Sequence, residues 1–228
     1  ATILNQTLTR LSTKSIDAPT KRTLDEFAQQ TPGRSAAELN EVMTDVMRKK
    51  TRRGTSSNAP TRRELNNALY DLLFGKIKQT TLSEKEKERV AIRVAGQALM
   101  CTICYPDAST SPLKTASIEA RAKETGFLML QAEQFESMRL QHDLYCELQI
   151  TLAGIAALDH YCGQHARDSS TANLFKKAQR LTLEILNQDP FNHRTSQQFM
   201  NEVFVLVTTS IREAQAKLTL INVQLKAD

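Results

Sequence analysis

Apolar residues recur along this chain at helical spacing. Leu65, Ala68, Leu69, Leu72 and Leu73 fall at i, i+3, i+4, i+7 and i+8, and Leu174, Phe175, Ala178, Leu181, Ile185 and Leu186 repeat that stripe later. No comparable stretch reads as alternating with period two. Start signals precede the stripes: a Ser or Thr with Glu or Gln three residues on, which lets side chain and backbone satisfy each other's unpaired groups. Thr23/Glu26, Ser35/Glu38, Thr61/Glu64, Ser83/Glu86 and Thr195/Gln198 have this form, and Ser111 with Pro112 at a first helical position adds another start. The pattern predicts helices near 20–30, 35–52, 61–78, 84–104, 113–125, 127–166, 170–188 and 195–226.

The segment from Leu144 to Leu158 is apolar on nearly every face, which predicts a helix buried all round, with Gly126 as a joint before it. Near the end, Val207, Ile211, Ala214, Leu218, Ile221 and Leu225 step by 4, 3, 4, 3 and 4, and Phe199 and Val203 extend the seam upstream. Such a seam packs inside the chain's own bundle or, as the other reading, against a second copy or a partner. The expected fold is all-α: a bundle of seven to eight helices around a buried central helix, closed by a long C-terminal helix.

Composition narrows the class further. Of 228 residues, 40% are hydrophobic and 24% charged, with seven Gly, six Pro and no Trp. That profile belongs to a globular protein, and it is too poor in turn residues for a sandwich or barrel. The net charge of +5 is uneven, because residues 1–63 hold 12 Lys and Arg against 6 Asp and Glu, while the remainder is close to neutral. The expected division is therefore a basic helical arm over 1–63 and a helical body over 64–228. No apolar run reaches the roughly 18 residues that cross a bilayer, and the start has no charged-then-apolar leader, so the expected location is intracellular and cytoplasmic.

The densest chemistry is cationic. Arg48, Lys49, Lys50, Arg52, Arg53, Arg62 and Arg63 place seven cations in sixteen residues with no acid among them, flanking the loop Gly54-Thr55-Ser56-Ser57-Asn58. Two or three would complement a helix C-terminus, so the surplus points to a polyanion, with nucleic acid first and an anionic membrane surface second. No aromatic residue lies between Arg48 and Arg63, so contact there would be to phosphate and independent of sequence. Arg-Arg-Gly-Thr also has the form of a basophilic kinase site with Thr55 as acceptor.

Cys101, Cys104, Cys162 and His165 form CxxC and CxxH pairs, a set that could ligate zinc, with His160 as a substitute; buried thiols at helical spacing are the first reading. No other cofactor is expected. His142-Asp143 and Asp159-His160 are neighbours on helices and point too far apart to act as dyads. The chain contains no GxSxG, GxxxxGK[ST], GxGxxG or HExxH.

Together these features lead to the expectation of a non-enzymatic helical assembly protein that holds a polyanion through its basic segment, as a viral coat, nucleocapsid or matrix subunit does, with a possible homo-oligomer. The alternatives are a host-directed bacterial effector or adaptor meeting an acidic protein or anionic membrane, and a zinc- or thiol-dependent helical enzyme.

Overall fold

In a computed structural model, residues 18–29, 34–54, 59–78, 82–107, 111–130, 140–189 and 193–224 are described, with residues 6 and 31 singly. The helices are α1 (Ala18–Gln29), α2 (Ala36–Arg53), α3 (Arg62–Phe74), α4 (Glu84–Cys104), α5 (Gln141–Cys162), α6 (Ser169–Gln188) and α7 (Ser196–Gln224), with a 3-10 turn at Gln164–Ala166. Strands β1 (Leu113–Ala120) and β2 (Thr125–Leu130) make a two-stranded sheet between α4 and α5 in the chain. The fold is all-α apart from this hairpin.

The caps work as their spacing dictates. Ser35/Glu38, Thr61/Glu64 and Ser83/Glu86 form reciprocal capping boxes at the starts of α2, α3 and α4. Thr195 and Gln198 do the same before α7, backbone donating to side chain at 3.0 and 3.2 Å. Thr23/Glu26 does not cap: α1 begins at Ala18, and Glu26 instead accepts from Arg22 at 3.1 Å. Asp168 caps α6, accepting from the backbone of Ser170 and Thr171.

The helices expected over 113–125 and at the start of 127–166 are corrected. Residues 113–120 and 125–130 are strands, and residues 131–139 lie outside the described residues. Along β1, Leu113, Thr115 and Ser117 are half-buried while Lys114, Ala116 and Ile118 are exposed. Polar residues on the inner side and an outward Ile hid this alternation. Pro112 stands just before the strand, where a missing N–H breaks no ladder bond. Gly126 is no joint: inside β2 it has φ +69°, and a side chain there would collide with Val90 and Val94 of α4.

By their contacts the described residues form two compact units. One holds α1–α3 with Ala120–Glu124; the other holds α4, residues 113–119, β2 and α5–α7. In the first, α1 and α2 both pack on α3, burying Leu24, Phe27, Met43, Val46, Leu65 and Leu69.

In the second, α5 is the buried axis. Leu144, Leu148, Leu152 and Ile155 are wholly buried, and every residue from Ile150 to Leu158 is enclosed by α4, α6 and α7. The α7 seam faces this core: Phe199, Val203, Val207 and Ile211 are buried in the same cluster as α5, the reading in which the chain packs on itself. The side chains of Leu218 and Ile221, and residue Leu225, lie outside what is described. No helix among the described residues is long and apolar enough to cross a membrane.

Candidate functional site

The basic segment is drawn into ion pairs. Arg48 meets Asp45 at 2.7 Å, and Lys49 bridges Asp45 at 2.6 Å and Asp71 at 2.7 Å. Lys50 is buried, lies 3.4 Å from Glu64 and donates to the carbonyl of Ala59. Arg62 reaches 4.0 Å from Glu26, and Arg52, Arg53 and Arg63 are exposed. Thr55 lies outside the described residues. The acids that balance this segment come from another helix or from earlier in α2, so a window along the chain counts cations that space has neutralised.

Asp71 also accepts from the fully buried guanidinium of Arg121 at 2.7 Å, and that same group donates to the carbonyl of Gly75 and lies 5.6 Å from the Tyr70 ring centre. Burial pushes Asp45 up and Lys49 down, but the salt bridges outweigh it: the Asp45 carboxyl is held below its usual range and the Lys49 ammonium above its own. Asn40, Asp45, Arg48, Asp71 and Lys76, together with the apolar Val42, Ala68 and Leu72, line a cleft of about 470 Å³ in this unit, part apolar and part of mixed charge.

The four cysteines do not assemble as two facing pairs. Cys101 and Cys104 on α4 neighbour Cys146 of α5, and the Cys104 thiol donates to Gln149 Oε1 at 3.1 Å. Burial, with Cys146 and Cys101 alongside, pushes the Cys104 thiol up to about 12. Cys162 ends α5 and His165 sits in the 3-10 turn after it. Asp159 receives Arg167, while His160 contacts Gln215, so these neighbours serve separate bonds. Among the described residues no group of three or more His, Cys, Asp or Glu is arranged to hold a metal.

The second unit does contain a buried polar pair that the motif search passed over. Arg93 and Gln97 are buried four residues apart on α4, the one such spacing among the buried polar side chains of the described residues. Glycines let α4 and α5 approach closely beside them. A Cβ at Gly96 would come within 2.5 Å of Ala157 Cβ and 2.7 Å of the Ala153 carbonyl, and one at Gly154 would touch the stems of Gln97 at 3.0 Å and Arg93 at 3.1 Å. From this seam the Arg93 guanidinium reaches β2, donating to the carbonyls of Thr125 and, at 3.2 Å, Gly126. Its charge also acts on the carboxylate of Asp168 at the start of α6. Burial raises that carboxyl, but bonds from Ser170 and Thr171, with the Arg93 charge, hold it below its usual range. The only trace of this in the chain is one Arg set in the apolar run Val90-Ala91-Ile92-Arg93-Val94-Ala95.

No protein-family model matches the chain. Among curated proteins it is similar to the ATP-dependent zinc metalloprotease FtsH 2 of Symbiobacterium thermophilum, 26% identical over 167 residues, covering 72% of this chain and 27% of that protein. It is likewise similar to the ATP-dependent zinc metalloprotease FtsH of Aquifex aeolicus, 27% identical over 72% of this chain and 25% of that protein. With FtsH 1 of Thermomicrobium roseum it shares 30% identity over 59% of this chain and 20% of that protein. The chain thus spans about a quarter or less of the length of the relatives it matches.

These similarities overturn the expectation of an RNA-binding viral coat, nucleocapsid or matrix protein, and with it the effector or adaptor alternative and the expectation that the chain stands apart from enzymes. The cationic segment prompted those readings, and the acids that pair with Arg48, Lys49, Lys50 and Arg62 stand just outside it, at Asp45 and Glu64, or farther along the chain, at Glu26 and Asp71.

A helix-borne zinc peptidase centre uses HExxH, two histidines four apart with a glutamate as base. The chain has no HExxH, and the buried i, i+4 pair on α4 reads Arg93-Val94-Ala95-Gly96-Gln97. These residues do not fit zinc.

Proposed function

We propose that this chain is an enzyme-related module of FtsH-type proteolysis, acting on polypeptide as part of a larger protein-degrading assembly. The observation that carries this reading is the repeated similarity to ATP-dependent zinc metalloproteases over 59% to 72% of the chain. The 228 residues contain no GxxxxGK[ST] loop, so ATP would be handled by another part of the assembly. The test is degradation of fluorescein-labelled casein by an FtsH-type protease with ATP and zinc, with and without the full chain, alongside co-elution of chain and protease on size exclusion. A changed rate or a shared peak supports the reading. An unchanged rate with separate elution, and no casein cleavage by the chain alone, overturns it.

A further inference from the structure

We propose that Arg93, buried on α4 with Gln97 at the spacing a zinc peptidase helix gives its two histidines, is a metal-independent polar lock that ties α4 to β2 without zinc. The comparison with a zinc peptidase rests on the kinship proposed above; the lock itself rests on geometry.

Guanidinium has five N–H donors and no free lone pair, and it stays protonated at every pH a protein survives, so Arg93 cannot ligate a cation and would repel one. Val94 offers no base. The acceptors that Arg93 meets are oxygens, the carbonyls of Thr125 and Gly126 in β2, and its charge also acts on the Asp168 carboxylate at the start of α6. One fixed organic cation therefore ties a strand to α4. The bare Cα of Gly154 leaves room for the stems of both long side chains. Buried charge of this kind persists only where partners surround it, and removing it strands them.

The test uses the full chain, purified without chelator. Zinc per chain is measured by mass spectrometry, melting is followed with and without EDTA, and hydrogen exchange is read at the β2 amides. The expected result is no stoichiometric zinc, a melting curve indifferent to EDTA, and, in Arg93→Met, a lowered melting temperature with exchange at Thr125–Leu130 accelerated at least tenfold. Should Arg93→Met fail to fold, Arg93→Lys carries the test: it keeps a charge but loses the fork, and faster β2 exchange is again expected. One zinc per chain that disappears in Gln97→Ala overturns the proposal. So does a melting temperature that drops with EDTA, or a folded Arg93 variant with unchanged β2 exchange. None of these readouts depends on proteolysis, so the lock and the FtsH-type reading can fail separately.

Discussion

Each unit buries a guanidinium, Arg121 in the first and Arg93 in the second, and the two are partnered differently. In the first, Asp45, Arg48, Lys49, Asp71 and Arg121 form a chain of ion pairs in which acids and bases are shared, and all but Arg121 keep some access to water. In the second, apart from more exposed pairs such as Lys177 with Glu147, the Arg93 guanidinium of α4 is buried against the backbone carbonyls of β2. Shared, half-solvated pairs add little each and tolerate loss, because water and the remaining partners compensate. A buried guanidinium held by backbone carbonyls tolerates less, because removing it leaves those oxygens without their donor. The abundance of charge in residues 1–63 is thus the less informative feature of the sequence.

The largest effect should come from the seam that admits the buried pair. Gly96→Val drives a side chain into Ala157 and the Ala153 carbonyl, atoms that cannot swing away, and should cost about 3 kcal/mol or more in urea unfolding. An unchanged midpoint would show that α4 and α5 are free to separate. In the first unit Arg121→Met removes the donor to Asp71 and Gly75 but leaves Asp71 its bond to Lys49, so a smaller loss of about 1–3 kcal/mol is expected. If it equals or exceeds the Gly96→Val effect, the contrast between the units fails.

Acid sharpens the comparison next. The carboxyls of Asp45 and Asp168 are held below their unfolded values, so their stabilisation is complete above the usual carboxylate range of about 4 and is lost as pH falls through the folded values. Lys49, raised in the fold, contributes fully below about 10.5 and loses its share only as pH climbs beyond that. Asp168→Asn should therefore flatten the acid limb of a pH titration of stability, and Lys49→Met should alter the alkaline limb while also weakening the acid one, because Lys49 helps to hold the Asp45 carboxyl down. The smallest effect belongs to Arg48→Gln, an exposed pair with Asp45, at no more than about 0.5 kcal/mol by thermal melting.

Local chemistry made much of the helical frame legible. Ser83 and Glu86 mark the start of α4 because both bonds of a capping box lie within four residues, and the apolar run to Leu158 marks α5 because burial on all sides erases any polar stripe. The hairpin was illegible because its inner face carries Thr115 and Ser117 while Ile118 faces out, so burial and polarity disagree. Arg93 is illegible for a related reason: a cation is read as surface unless the acceptors that meet it are known, and Thr125 and Gly126 come from more than thirty residues away. The similarity to zinc metalloproteases had no motif to announce it, since the chain contains no HExxH.

The Cys104 thiol, held at about 12 by its surroundings, has one further consequence. At neutral pH only about one molecule in 10⁵ carries the thiolate there, and the thiolate is the form that peroxide and alkylating reagents attack. The Cys104 sulfur at the end of α4 is therefore slow to react, and mild alkylation of the folded chain should leave that residue unmodified.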